Sequence, residues 1–346
     1  MKKLCALLRK TRQLRRLIDQ EQGDALIIVA VSMVFIMGIL ALVIDLGLAF
    51  LSTGEQQKAA DAAVYSAGRL LPIETGNLTS VDQIKDSAIS YASLNGFPDL
   101  TPDDIILGKI SNGQYTEIRV NVDKSVPMYF AKIFGIDYLD LSRSAVAKLS
   151  PVIRTTGVAP IGLTKEEMDA RIASNNLTHV TLKYGIQNPA PDDSPSFFGA
   201  LDLDGQGGGA SDYRIWITQG YAGEISVGDV LLEESGNMVG PTYQGFEERY
   251  AACTHFGALS GGDGCTTEHF EPSCPRIVKV PVYSYGADKK TVVVEGFAAF
   301  LLENQTNDGY ITGSFLNMVT NGASSGMNVG EGTEGDFGLY NLILSE

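Results

Sequence analysis

The chain has 346 residues, with 26 Lys and Arg against 41 Asp and Glu, a formal net charge of −15. Seven of the bases and four of the acids precede Ser52, which leaves 19 bases against 37 acids beyond it. A surface so acidic disfavours nucleic acid and anionic lipid as partners of that part, and its length allows two folded units.

Residues 1–24 form a basic tail carrying Lys2, Lys3, Arg9, Lys10, Arg12, Arg15 and Arg16. The run Ala25–Leu51 follows, 27 residues whose single charge is Asp45. About 20 apolar residues cross a bilayer core as a helix, whereas the apolar core of a cleaved signal peptide is only about 7–15 residues long. The run is therefore expected to be a retained, single-pass anchor in the cytoplasmic membrane. A short positive flank stays on the cytoplasmic side, so the N-terminus is expected inside and everything after Leu51 outside.

Gly38, Ala41, Asp45 and Ala49 recur at steps of three or four, and the series continues through Ser52, Gln56, Ala59, Ala63 and Ala67. Such steps place all of them on one helix face. Small residues let helices approach closely in lipid, so Gly38, Ala41, Asp45 and Ala49 are candidates for association with another helix that satisfies the acid. The competing reading places Asp45 among headgroups, where it marks only the end of the span. Ser52-Thr53-Gly54-Glu55 has the form of a capping box and predicts a restarted helix at the membrane exit.

The stretch 52–150 reads as a helical extension leading into a small α+β domain. Val81–Leu94 has helical spacing and stops at Asn95-Gly96; Ile105–Ile110 and Tyr115–Val122 read as strands around Ser111-Asn112-Gly113. Val126–Phe134 reads as helix and Leu139–Leu149 as strand. A boundary is expected within Pro151–Pro160. Residues 151–346 then read as a mostly β domain, with strands over Tyr213–Thr218, Ile277–Tyr285, Thr291–Leu302 and Tyr310–Leu316. Its one convincing helix is Lys165–Ala173, opened by Thr164. The fold class is α+β: a long N-terminal transmembrane helix, a small α+β domain, then a mostly β domain.

Three cysteines, Cys253, Cys265 and Cys274, lie on the exported side, and Cys5 on the reducing side. An odd exported count permits one bridge. Cys265 and Cys274 are the disulfide candidates, and their loop would contribute about 2–3 kcal/mol in the chain-entropy model. His255 and His269 share the segment, so a Cys/His zinc site is the competing reading, although no C-x-x-C pair exists. Gly322–Gly326 matches G-x-S-x-G, but no histidine follows His269 to complete the hydrolase order, so it reads as a loop. Asp202–Gly207 opens like a calcium loop, yet Tyr213 stands where a bidentate Glu belongs, so it reads as a hairpin turn. No catalytic, cofactor or metal residue is assigned.

The string EQGDALIIVAVSMVFIMGILALVIDLGLAFLSTGEQQKAADAAVYSAGRL, residues 21–70, resembles the N-terminal segment of the TadE/TadG-like family of tight-adherence (Flp) pilus assembly. The shared features are a basic tail, Glu-x-Gly-x-Ala, an apolar span ending in Ile-Asp-Leu-Gly, and Gln-x-x-Ala-Asp-Ala-Ala. Blocks from Ile225 to Tyr250 and from Cys274 to Leu302 resemble the ectodomain of TadG-related proteins. The chain departs from the family at two places. Ile28 stands where prepilin processing after Gly23 expects Glu. The D-x-S-x-S patterns at Asp140–Ser144 and Asp192–Ser196 lack the strand context of a von Willebrand metal site. The resemblance implies a non-enzymatic, pilin-like assembly component of a bacterial Tad pilus or related secretion machine. Its partners would be other pilus-assembly membrane proteins and pilins, met through the N-terminal helix. A membrane-tethered surface enzyme or binding module, metal-dependent through Cys253, His255, Cys265 and His269, is the alternative.

Overall fold

No proline interrupts the first 71 residues, and a single helix, α1, runs over Lys2–Gly68. The computed structural model describes residues 2–111, 113–183, 200–207, 209–234, 238–260, 264–286, 291–305, 311–324 and 335–345, with residues 2–24 as backbone only. The helix does not restart at Ser52. Thr53 Oγ1 instead donates to the carbonyl of Ala49 at 2.7 Å, a back-bond that a continuing helix accommodates. Gly54 costs such a helix about 1 kcal/mol, and the tertiary packing of the next turns outweighs it. Ala59, Ala60, Ala63, Val64 and Ala67 are fully buried there.

That packing brings in α2, Leu78–Leu94, whose first turn is capped by Asn77 accepting from the Ser80 amide at 3.1 Å. Its buried residues Ile84, Ala88 and Ala92 face the alanines of α1, and the Ser66 and Ser87 hydroxyls meet at 2.6 Å between the helices. The facing residues are nearly all small, so the two backbones approach closely. Behind them lies an antiparallel sheet. Short β1, Ile73–Glu74, and β2, Ile105–Ser111, both pair with β3, Gln114–Pro127, and β3 pairs with β4, Tyr138–Thr155. The register runs from Glu117↔Lys148 to Pro127↔Tyr138, a long hairpin. The helix expected over Val126–Phe134 is a misreading: β3 continues to Pro127 and only Ala131–Phe134 makes a 3-10 turn, closed by Gly135 at φ +82°.

The second half is built on another sheet. After β5 (Leu163–Thr164), α3 (Lys165–Ser174), β6 (Val180–Lys183) and β7 (Leu201–Asp202), the chain forms α4 (Gly209–Gln219), β8 (Ile225–Ser226), β9 (Val230–Glu233) and α5 (Val239–Ala251). The long strands β10 (Ile277–Tyr285), β11 (Thr291–Gln305) and β12 (Ile311–Leu316) follow, giving the order β5-β10-β11-β12-β6, with β9 paired to β11 and β7 to β9. Tyr213–Thr218, read as a strand, lies inside α4. Tyr213, Trp216 and Ile217 are buried at helical spacing there, and α5 buries Thr242, Gly245, Phe246 and Arg249 in the same way. A Cβ on Gly245 would stand 2.4 Å from Ile217 Cγ2, so the glycine lets α4 and α5 touch.

The expected boundary after Ser150 falls within β4. That strand runs on to Thr155, and the final strands β13 (Met318–Val319), β14 (Ala323–Ser324) and β15 (Leu339–Ser345) return to the first sheet. β15 pairs with β4 from Tyr340↔Pro151 to Ser345↔Val146. The C-terminal strand thus completes the sheet that begins the folded part, and Tyr340 shares a core with Ile118, Val120 and Leu149. The architecture is α+β, with the long apolar helix leading into curled sheets.

Candidate functional site

Between Leu26 and Leu51 the helix presents large apolar side chains outward; Leu26 is 73%, Phe35 69% and Phe50 79% exposed. None of the most apolar 18-residue window is buried by the rest of the chain, so this is not the core helix of a soluble fold. Lipid is the solvent such a surface requires. Asp45, by contrast, is nearly fully buried. Its carboxylate accepts three backbone N–H groups, from Tyr129 at 3.0 Å, Phe130 at 3.0 Å and Ala131 at 2.7 Å. These amides enter the 3-10 turn Ala131–Phe134 and have no partner within it, so the acid caps the tip of the β3–β4 hairpin.

Further along the same face, Ala49 packs with Val126 and Met128. Gln56 Nε2 donates to the carbonyls of Val122 and Leu141, both at 2.9 Å, one on each strand of the hairpin. The small and polar face is covered from Asp45 onward by the chain's own hairpin and α2. Of the helix-association candidates, Asp45 and Ala49 are buried in this junction and Ala41 is half-buried at its edge. Gly38 is open, with no atom within 4 Å of where its Cβ would stand.

Around the capped turn the hairpin tip exposes Tyr129, Phe130, Ile133, Phe134, Ile136 and Tyr138, with Ile133 at 81% and Phe134 at 85%. Lys132 lies among them. Asp45 holds this apolar and aromatic tip at its own height on the helix, 20 residues after Ala25.

A second constellation lies in the other half. Cys253, His255, Cys265 and Cys274 converge, with all four ligating atoms within 4.8 Å of one another. Cys253 Sγ stands 3.6 Å from Cys274 Sγ and 3.9 Å from His255 Nδ1. The three cysteines are buried unbonded thiols and His255 is half-buried. Burial pushes the Cys253 thiol up, but the amides of Cys265 and His255 donate to its sulfur, with His255 Nδ1 and Cys274 adding to them, and bring it down to about 6. Burial drives Cys274 up to about 12 despite the Arg276 amide, and the neighbouring thiols add to the rise. Cys253 therefore ionises before Cys274. His269, expected beside these residues, lies against the Phe256 ring at 3.8 Å instead, and Cys274 takes the fourth position.

Two family models match the chain: Flp pilus-assembly TadE/G-like over residues 23–70 and Tad-like Flp pilus-assembly over residues 52–147. Residues 23–147 belong to the Tad/Flp pilus-assembly family. The matched residues are those that build the junction. The Ile-Asp-Leu-Gly of the Tad segment supplies Asp45, and the Gln-x-x-Ala-Asp-Ala-Ala, residues 57–63, supplies the buried Ala60 and Ala63, with Gln56 immediately before it. The Cys/His cluster lies beyond the matched part of the chain. No curated protein and no solved structure matches the chain.

The remaining sequence candidates are local features. Asp202 accepts the amides of Gly205 and Gly207, both at 3.0 Å, which shapes the turn from β7 into α4 rather than a hairpin. Asp140 is paired across the hairpin with the Ser125 hydroxyl. In Gly322–Gly326, Ala323 and Ser324 form β14 on β4, and Ser325 and Gly326 lie outside the described residues, as does Asp192–Ser196.

Proposed function

We propose that this Tad-family protein is a non-catalytic, pilin-like component of a Tad pilus or related secretion machine. It would span the cytoplasmic membrane once, with residues 1–24 inside and the folded part outside. The observation that carries the reading is the Asp45 junction. Three amides from the hairpin tip grip the transmembrane helix at one height, so helix and ectodomain form one unit instead of a tether and a cargo. About 20 residues from Ala25 fill a bilayer core, which puts Asp45 at the outer boundary and seats Ile133 and Phe134 in the interfacial layer, where aromatic side chains are favoured. Seven bases in the tail support the inside orientation.

Other pilus-assembly membrane proteins and pilins would then meet the helix through the open side around Gly38, since the outer part of the small-residue face, from Asp45 onward, is occupied within the chain. Protease added to spheroplasts should digest residues beyond Leu51 and leave a membrane-protected N-terminal fragment; protection of the 151–346 region would overturn the orientation. Gly38→Leu should leave the protein inserted and reduce its recovery with other pilus components, and undiminished recovery would refute the Gly38 contact.

A further inference from the structure

We infer that Cys253, His255, Cys265 and Cys274 form a structural zinc site that fastens the segment between α5 and β10 onto the second sheet. The donor set is three sulfurs and one imidazole nitrogen, the Cys3His combination that zinc takes in closed tetrahedral sites. With Zn–S about 2.3 Å and Zn–N about 2.0 Å, the corners of such a tetrahedron stand about 3.5–3.8 Å apart. The separations of 3.6 Å and 3.9 Å, with every ligating atom inside 4.8 Å, approach that size without an ion to draw the ligands in.

The surroundings provide a second, independent observation. Backbone amides are aimed at all three sulfurs: His255 and Cys265 at Cys253, Arg276 at Cys274, and Glu271 at Cys265 with N···S 3.5 Å. Two of these, His255 to Cys253 and Arg276 to Cys274, run from a residue to the cysteine two positions before it. Amide donors of this kind neutralise thiolate charge and orient sulfur lone pairs, the outer-shell support that metal-binding cysteines need. The loop is shaped to allow it. Phe256 and Gly257 adopt left-handed conformations immediately after His255. Gly264, at φ +69°, leaves room that a Cβ would fill 3.5 Å from Cys253 Sγ and 3.0 Å from Arg276 Nη1.

The site also fastens a segment with little regular structure of its own among the described residues. Residues 252–276 contain no strand and only the irregular 3-10 stretch His255–Ser260 among the described residues, and a loop this long without structure of its own is uncommon in a compact domain. All three sulfurs reach the core that holds Leu201, Trp216 and Leu301. Four protein ligands leave no open coordination position, so the site suits a structural rather than a catalytic ion, and the metal-dependent surface enzyme gains nothing from it. Other soft ions bind the same donors; the tetrahedral Cys3His set favours zinc.

The test uses the full chain purified in detergent from cells grown without added chelator. Elemental analysis should find about one zinc per chain, as a four-ligand site requires, and titration with a mercurial should release it as the thiols react. Cobalt(II) exchanged into the site should give sulfur-to-cobalt charge-transfer absorption with the d–d bands of a tetrahedral ion. Cys274→Ser and Cys265→Ser should each lose the zinc, His255→Cys should retain it, and His269→Ala should retain it because that ring is outside the cluster. Wild-type protein without metal and with a Cys265–Cys274 or Cys253–Cys274 disulfide in non-reducing mass mapping would overturn the inference, as would full zinc content in Cys274→Ser. The wild-type measurements decide the matter even if a variant fails to fold.

Discussion

Gln56 is the most exacting test of the junction. Its side chain is fully buried, Nε2 bridges the carbonyls of Val122 and Leu141 at 2.9 Å each, and Oε1 has no hydrogen-bond partner. Gln56→Glu keeps the shape and removes both donors, placing an acceptor-only carboxylate against two carbonyl oxygens. Two lost hydrogen bonds contribute about 1 kcal/mol each, and the buried, unpaired charge adds roughly another 1–3 kcal/mol. A total of about 3–5 kcal/mol corresponds to a fall in melting temperature of about 5–8 °C for a folded part of this size. Gln56→Met, which fills the space without a charge, should cost less than Gln56→Glu. Thermal unfolding of the full chain in detergent, followed by near-UV circular dichroism, measures the series. The Gln56→Glu deficit should shrink as pH falls, because a protonated carboxyl can again donate to one carbonyl. Equal melting temperatures for wild type and Gln56→Glu across that pH range would refute the bridging role.

Asp45→Ala should leave the helix inserted but raise amide exchange at Tyr129, Phe130 and Ala131 by about tenfold or more relative to wild type, with Asp45→Asn intermediate, since an opened cap exposes just these donors; unchanged exchange by mass spectrometry would show that the cap is not what holds the tip. Gly313→Ala places a Cβ 2.1 Å from the Leu301 carbonyl and 2.6 Å from the Phe300 ring, so it should destabilise by about 1–3 kcal/mol or more in chemical denaturation. A chain ending at Ser150 lacks β15 and leaves the β4 edge unpaired, so it should aggregate where the full ectodomain does not, as light scattering would report. Burial holds Lys279 below its ordinary 10.5 while its ammonium donates to Thr155 Oγ1 and the Thr156 carbonyl. Between the lowered value and 10.5 the unfolded chain binds more protons than the native one, so this group's contribution to stability rises with pH there. Comparing Lys279→Met with wild type across alkaline pH should show that increment missing in the variant.

Local chemistry alone determined the anchor, because 27 residues with one charge have few ways to behave, and it determined the strands Ile277–Tyr285 and Thr291–Leu302, the second of which runs on to Gln305; their β-branched and aromatic runs are bounded by turn residues. It failed at α4. Tyr213, Trp216 and Ile217 carry strand-like composition, and only packing against α5 reveals that their spacing is the helical one. From Asp45 to Ala67 the small-residue periodicity follows the buried face, but it does not say what covers it. A face says that something must pack there, and the covering hairpin is encoded some 80 residues later, where Val126–Phe134 by itself reads as helix. The boundary drawn at Pro151 follows local composition, whereas β15 joins the first sheet by a pairing nearly 200 residues long-range, which no local signal announces. Cys253, His255, Cys265 and Cys274 have no diagnostic spacing. Their convergence depends on where α5 ends, where β10 begins and which way the backbone turns at Phe256 and Gly257, and those are decided by the tertiary fold.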